Sequence, residues 1–366
     1  MILPLIHESE FNSILLQGRP LIDVRAPVEF AEGSIPGSVN LPIMNNEERA
    51  QVGTQYKQRG QQAAIELGHQ LVSGEIRDSR IESWALFIRQ NPQAVITCFR
   101  GGLRSKTTQE WMVQAGSICP RIEGGYKKMR QHLMTIIENF IANQPLTVIS
   151  GATGSGKSIL LRELSPFRKI SDLERWAHHR GSAFGGYAEG QPTQIDFENR
   201  MAVEMLQCLQ SQDTRPTLIE DESRLVGRCV QPNALFDKLR SSPIVMVEES
   251  VASRVEVTFN DYILNSKLTS QNEAAALEVI ERYRHSLRKI SKKLGGLRTE
   301  EVSALLETAW TDQQSGKGFD SHREWIEKLL VYYYDPMYLG SLASRGPNVA
   351  FRGSRTACFE YLKSES

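Results

Sequence analysis

The sequence predicts an α/β protein of two parallel-sheet domains in series, the second continuing into a helical C-terminal part. Three features predict it. Short apolar runs end in glycine or polar residues, a glycine-rich loop of phosphate-binding type follows one of them directly, and helix-compatible stretches separate each run from the next. At 366 residues, 40% hydrophobic and 23% charged, the chain is long enough for two cores.

Residues 20–24 (PLIDV) and 94–98 (AVITC) read as short buried strands that lead into functional loops, with a helical stretch from about Ala63 to Gln90 between them. After Tyr126 a helix-compatible segment (KKMRQHLMTIIENFIANQ) runs to Pro145, where a new strand, LTVIS, opens. The expected layout is a first domain over 1–130, a linker helix over 131–144, a doubly wound second domain over 145–260 and a helical region over 261–366. Further strands of the second domain are expected at 217–221 (TLIED) and 243–248 (PIVMVE), and the helical region reaches an aromatic cluster, VYYYDPMY, at 331–338. No internal repeat or low-complexity tract is present.

Composition narrows the function classes. The start, MILPLIHESEF, lacks a basic segment followed by an apolar run, and no stretch approaches the roughly 18 apolar residues of a membrane span, so a cytoplasmic protein is expected. The five cysteines, at 98, 119, 208, 229 and 358, form no C-x-x-C pair, which argues against a disulfide framework or a zinc cluster. Formal net charge is zero, so any contact with nucleic acid must be local. One segment qualifies: 282–298 contains Arg282, Arg284, Arg288, Lys289, Lys292, Lys293 and Arg298 and no acidic residue, a run able to neutralise several phosphates or simply to form a solvated helix face.

Gly151-Ala-Thr-Gly154-Ser155-Gly156-Lys157-Ser158 fits G-x-x-x-x-G-K-[ST] between a strand and the helix-compatible ILLREL. Small residues let backbone N–H groups curl around phosphate oxygens, Lys157 adds a point charge and the helix N-terminus adds its dipole, so a phosphate or diphosphate site is expected. The acidic strand end TLIEDES offers Glu220 and Asp221 as candidates to hold Mg2+ or its water beside Ser158. HHRGSAFGG, from His178 to Gly186, reads as a ligand-covering loop with Arg180 and Ser182 as its polar side chains, and its paired histidines as exposed polar residues rather than metal ligands.

Cys98-Phe-Arg100-Gly101-Gly102-Leu-Arg104-Ser105 follows the buried strand 94–98 and opens a helix. Loop amides, a helix dipole and two arginines would stabilise a thiolate or a bound oxyanion, which makes Cys98 the best candidate nucleophile; the other four cysteines read as structural. The loop by itself leaves two chemistries open, since C-x-x-G-x-x-R-S also matches the phosphate cradle of cysteine-dependent phosphatases. Upstream, Asp23-Val-Arg25, Glu29-Phe30 and Gly33-Ser-Ile-Pro36-Gly37-Ser-Val-Asn40-Leu-Pro42 closely resemble the rhodanese signature. Two departures are Ser34, where rhodaneses usually carry His, and the five residues between Cys98 and Arg104, a spacing more usual in phosphatases and suited to a cargo larger than sulfur.

Taken in order, the rhodanese signature, the C-F-R-G-G-x-R-S loop, the P-loop, HRGSAFG and D-E-S-R resemble the bacterial tRNA 2-selenouridine synthases over nearly the whole chain. The resemblance implies a two-step reaction on the wobble uridine of tRNA. Geranyl diphosphate alkylates the sulfur of 2-thiouridine, and selenium from selenophosphate then displaces the geranylthio group. It implies that Gly151, Gly154, Ser155, Gly156, Lys157 and Ser158 hold the diphosphate, with Mg2+ shared by Ser158 and Asp221 and no tightly bound cofactor or permanent metal. It further implies that Cys98, Arg100, Arg104, Gly101, Gly102 and Ser105 receive selenophosphate, and that the basic run at 282–298 contacts tRNA. Tyr332, Tyr333 and Tyr334 are candidates for stacking on a base or lining a prenyl pocket, against ordinary core packing. Two rival readings are a small-molecule kinase with a regulatory rhodanese module and a sulfur-relay adaptor.

Overall fold

A computed structural model describes residues 3–346 and 348–365; Met1 and Ile2, where the chain start was read, lie outside these. The chain divides into two compact units, Met1–Ala142 with Thr193–Gln210, and Asn143–Pro192 with Ser211–Ser366.

The first unit is built on β1 (Leu5–Ile6), β2 (Leu21–Asp23), β3 (Ser38–Asn40), β4 (Val95–Thr97) and β5 (Arg121–Ile122), a wholly parallel sheet in the order β1-β5-β4-β2-β3. The two strands legible in the sequence, β2 and β4, are its fully buried centre, which is why they read as continuous apolar runs. They pair with Asp23 opposite Thr97, so the Asp-Val-Arg segment and the Cys98 loop leave the sheet side by side. The single helical stretch expected between them is interrupted: Asn46–Leu71, itself kinked at Gly60 where φ is 83°, is followed by Gly74–Gln90. Gly74 makes the break with a left-handed φ of 54°.

The expected linker helix is the C-terminal part of a longer helix, Gly125–Asn143, which buries Met129, Leu133, Ile136, Ile137 and Phe140. The helix Gln194–Gln210, which the sequence places within 145–260, also packs in this unit. Arg130 bonds to Asn199 at 2.6 Å and to Glu198, and Ser34 bonds through its N–H to Asp196 at 2.8 Å and through its carbonyl to Asn199 at 2.7 Å. The Ser34 backbone thus anchors this crossing helix.

The second unit holds β6 (Leu146–Ser150), β7 (Ile170–Ser171), β8 (Thr217–Glu220), an antiparallel pair of β9 (Leu225–Val226) and β10 (Cys229–Val230), β11 (Ile244–Val247) and β12 (Val349–Gly353). Its main sheet is parallel throughout, in the order β12-β11-β6-β8-β7. The P-loop strand β6 is central, so its loop emerges at the carboxyl edge where ligands bind in such sheets. The region after residue 260 is helical as expected only up to Arg345. The chain then returns to the sheet as β12 and packs the helix Arg355–Ser364 against the P-loop helix Lys157–Leu164, burying Leu160, Leu161 and Leu164 with Cys358 and Leu362. A second core in this unit is aromatic and centres on Phe184, Tyr262, Tyr283 and Trp325. Among the described residues no helix is long and apolar enough to cross a membrane.

Candidate functional sites

In the first unit, Cys98 is buried directly beyond β4, its Sγ 3.2 Å from Ser105 Oγ on the next helix, Leu103–Gln114. The loop is pinned from behind: the Tyr126 and Lys127 amides donate to the carbonyls of Cys98 and Phe99 at 2.8 and 2.9 Å. Gly101 and Gly125 both have positive φ, and a Cβ on Gly125 would fall 2.2 Å from the Cys98 carbonyl oxygen and 2.3 Å from the Gly101 nitrogen. No side chain fits there, so the Gly124-Gly125 turn fixes the loop's curvature.

The two loop arginines part company. Arg100 is exposed, 5.8 Å from the Phe99 ring. Arg104 is engaged in a two-pronged pair with Glu29, at 2.5 and 3.2 Å. Burial, which alone would raise the Glu29 pKa, is outweighed by the Arg104 hydrogen bond and charge, and the carboxyl is held below its ordinary value. Arg104 therefore aligns Glu29 with the loop in this structure.

The rhodanese-like signature is the frame behind the loop. Arg25, 2% exposed, grips the fully buried Asp23 carboxylate at 2.7–3.1 Å, donates to the carbonyls of Glu29 and Gly33 at 3.1 and 2.8 Å, and lies 3.8 Å over the Tyr126 ring. Asn40 donates to the carbonyls of Asp23 and Arg25. The motif's charged residues thus satisfy one another and the backbone. Of the remaining cysteines, all buried, Cys119 and Cys358 have thiols pushed up by burial to about 12 and about 11, in line with structural roles.

In the second unit the P-loop curls after β6 with Gly154 and Gly156 at φ of 81° and 80°. A Cβ on Gly154 would come within 2.7 Å of the Arg254 carbonyl and the Thr258 hydroxyl, so glycine is required by backbone conformation and by contact. Gly156 caps the helix that begins at Lys157, and Lys157 Nζ folds onto the Gly151 carbonyl at 2.9 Å. Ser155 Oγ is buried without a hydrogen-bond partner. Arg254, which the sequence reading did not single out, donates to the Thr153 carbonyl at 2.9 Å and pairs with Asp335, tying the loop to the helical region.

The acidic residues are arranged differently from the expectation. Asp221 accepts from Ser150 Oγ at 2.5 Å, while Ser158 Oγ donates to Glu174 at 2.6 Å and also lies in hydrogen-bonding reach of Glu220. Glu174 follows the two-residue strand β7, whose brevity hid it. Glu220 is fully buried, accepts from the Glu174 amide at 3.3 Å and has one oxygen without a partner. Burial first, and then the charges of Glu174 and Asp172, push the Glu220 carboxyl well above its ordinary value; burial and then Glu174 push Glu222 up to about 8. Gly181, at φ of 62°, allows this crowding, since a Cβ there would lie 2.5–2.8 Å from the oxygens of Glu174 and Glu222. Among the described residues no group of three or more His, Cys, Asp or Glu is set to hold a metal ion by itself.

The HRGSAFGG loop approaches these carboxylates through Gly181. Its two expected ligand side chains are occupied within the unit: the Arg180 guanidinium donates to the Asp261 carbonyl and lies over the rings of Tyr187 and Tyr262, and Ser182 Oγ bonds to the Tyr262 hydroxyl at 2.5 Å. In the basic run, Arg288, Lys289, Lys292, Lys293 and Arg298 are exposed, on the helix Glu273–Leu294 and just beyond it. Arg284 is not available as expected, being bonded to Glu307 at 2.7 Å and Glu281 at 2.6 Å; Arg282 is half-buried with two guanidinium nitrogens unpartnered. Tyr333 is core, Tyr332 lies under Arg298 and beside Lys328, and Tyr334 borders an apolar cavity.

A parallel-sheet unit with a cysteine loop after its central strand β4, and a second unit with a P-loop after β6, define a rhodanese-like domain joined to a phosphate-binding α/β domain. Comparison with known families agrees: the rhodanese-like domain family matches residues 8–132, and the family described as the tRNA 2-selenouridine synthase AAA domain matches residues 144–366. Full-length relatives named tRNA 2-selenouridine synthase include those of Nitrosomonas eutropha, 46% identical over 99% of this chain and 98% of the relative, and of Bdellovibrio bacteriovorus, 47% identical over 98% of each. The chain belongs to the tRNA 2-selenouridine synthase family.

Proposed function

We propose that this chain converts 2-thiouridine at the tRNA wobble position to 2-selenouridine in two steps, one in each unit. The observation that carries the reading is the presence, in one member of this family, of a buried cysteine at the root of a glycine-curled loop and of a complete phosphate-binding P-loop. In the first step geranyl diphosphate binds with its diphosphate in the Gly151–Ser158 loop. The thiouridine sulfur attacks the carbon bearing the diphosphate; the S–C bond forms as the C–O bond breaks, and the electron pair leaves on diphosphate. Lys157 and the amides at the helix start stabilise that leaving charge. The oxygen donors Ser158 and Glu174, with Glu220 behind them, fit Mg2+, which keeps few protein ligands and takes the rest from phosphate and water. When bound, the ion would neutralise charge on the diphosphate.

In the second step the selenium of selenophosphate attacks the ring carbon that bears the geranylthio group: the C–Se bond forms, the C–S bond breaks and geranyl thiolate departs, and water then cleaves the Se–P bond, releasing phosphate and leaving 2-selenouridine. Cys98 serves this step, with Arg100 and the loop amides receiving the selenophosphate oxyanion. The exposed basic residues from Arg288 to Arg298 hold the tRNA backbone, and the reaction takes place in the cytoplasm. The test is mass spectrometry of nucleosides from 2-thiouridine tRNA incubated with geranyl diphosphate and Mg2+ and then selenophosphate. Wild type should give the geranylated and then the selenated nucleoside; a protein that gives neither product yet turns over ATP without tRNA would sink the proposal.

A further inference from the structure

Strand β12 runs parallel to β11 and β6, so the residues that follow it, Ser354 and Arg355, leave the main sheet at the same carboxyl edge as the P-loop. We infer that Arg355 is a second cation of the P-loop site, donating from its guanidinium to the diphosphate that Lys157 and the loop amides hold. The inference rests on the diphosphate reading above and adds to it a residue from the far end of the chain.

The guanidinium lies on the loop itself. A Cβ built on Gly156 would stand 2.9 Å from Arg355 Nη1 and 3.2 Å from Arg355 Cδ. Gly156, at φ of 80°, turns the loop into the helix that begins at Lys157, so the guanidinium rests where the phosphate-binding amides begin. It is also uncommitted. Arg355 bonds through its backbone N–H to Glu249 at 2.9 Å, and among the described residues no carboxylate or carbonyl accepts from its side chain. Arg254, the other arginine on the loop, is by contrast engaged by Asp335 and the Thr153 carbonyl. A half-buried guanidinium with no anion beside it is suited to phosphate oxygens, which arginine meets through parallel N–H groups and with a charge it never loses. Ser155 Oγ, buried without a partner, is a further unused hydrogen-bonding group of the same loop.

The backbone that carries Arg355 is fixed before any ligand arrives. The Glu248 amide donates to the Gly353 carbonyl at 2.8 Å, Glu249 holds the Arg355 amide, and Ser354 caps the helix Arg355–Ser364 by accepting from the Ala357 amide at 3.3 Å. That helix in turn buries Cys358 and Leu362 against Leu160, Leu161 and Leu164 of the P-loop helix. A preorganised donor of this kind is most effective where charge develops. As the C–O bond to the diphosphate breaks, the electron pair moves onto diphosphate oxygen, and Arg355 stabilises it by N–H donation without giving up a proton.

Two measurements on the full chain test the inference in wild type, Arg355→Ala, Arg355→Lys and Lys157→Ala: calorimetric titration with inorganic diphosphate and Mg2+, and the rate of alkylation of thiolated tRNA. Arg355→Ala should weaken diphosphate binding roughly tenfold or more and slow alkylation roughly 100-fold. Low concentrations of guanidinium chloride should restore part of that rate to Arg355→Ala and none to Lys157→Ala, a rescue that a merely structural arginine would not show. Should Arg355→Ala fail to fold, Arg355→Lys still decides, since it keeps the charge but loses the forked geometry and should lower both affinity and rate. Wild-type affinity and rate in the Arg355 variants, with Lys157→Ala impaired, would overturn the role of Arg355 and leave the diphosphate reading standing. Failure of wild type to bind diphosphate would overturn both.

Discussion

Replacing Arg25 by methionine should unfold the first unit far more readily than any other single change near the cysteine loop, and the structure sets the size of the effect. The guanidinium is the charge partner of Asp23, which is 0% exposed, and removing it leaves a buried carboxylate whose other bond is to the Arg25 amide at 3.0 Å. Stranding a buried charge in this way costs about 3–5 kcal/mol. Bonds to the Glu29 and Gly33 carbonyls are lost as well, at about 1 kcal/mol each, together with the contact over Tyr126. These terms overlap, and a total of about 5 kcal/mol is expected, comparable to the whole stability of many domains. Arg25→Met combined with Asp23→Asn leaves no charge behind and should recover about half of that loss. The assay is urea unfolding of the full chain followed by hydrogen exchange in peptides from β2 and β4. A single variant costing under about 1 kcal/mol, or a double variant no more stable than the single, would refute the view that the signature is a mutually satisfied buried frame.

Other consequences are open to measurement. Substituting Lys289, Lys292 and Lys293 by alanine should weaken tRNA binding and lower the slope of log affinity against log salt by about 1 per residue, whereas Arg284→Ala should leave that slope unchanged because Glu307 and Glu281 already engage it. Glu29→Gln should loosen Arg104 and slow selenium incorporation while sparing geranylation, as read from the two nucleoside products; equal loss of both would contradict it. His322 accepts the Trp325 indole N–H at 2.9 Å on Nδ1, so its proton sits on Nε2 toward Gln313, and burial pushes its pKa from 6.5 down to about 4. The folded state resists protonating it, so this contribution is fully present above pH 6.5 and is lost as pH falls toward 4, by up to about 1.4 kcal/mol per pH unit. Urea melts over that range read by tryptophan fluorescence should show the acid-side slope in wild type and a shallower one in His322→Gln.

How much of this was legible in the sequence follows from how each feature is encoded. The P-loop and the cysteine loop are contiguous, and their glycines sit where the backbone must turn left-handed or meet another chain segment, so residue order alone revealed them. Glu174 was not legible, because it meets Ser158 only through the fold and follows a strand of two residues. Glu220 and Asp221 are legible because they close an apolar strand, and Asp221, just beyond β8, accepts from Ser150. The helix Gln194–Gln210 reads as an ordinary amphipathic helix, and nothing local says that its apolar face packs in the first unit. Strand β12 is a half-exposed edge with little apolar signal, which made the C-terminal region look wholly helical. Of the tyrosine run, only Tyr334 borders the apolar cavity, a distinction set by the π-helical turn rather than by composition.

The most direct measurement supplies tRNA that already carries the geranylated 2-thiouridine, together with selenophosphate, to wild type, Lys157→Ala and Cys98→Ala, and follows 2-selenouridine by mass spectrometry. If the P-loop unit serves only alkylation and the cysteine loop only selenium transfer, Lys157→Ala should match wild type on this substrate although it fails on the plain thiolated tRNA, and Cys98→Ala should yield no 2-selenouridine. A Lys157→Ala variant still inactive on the pre-alkylated tRNA, or a Cys98→Ala variant that selenates it, would contradict the division of labour between the two units.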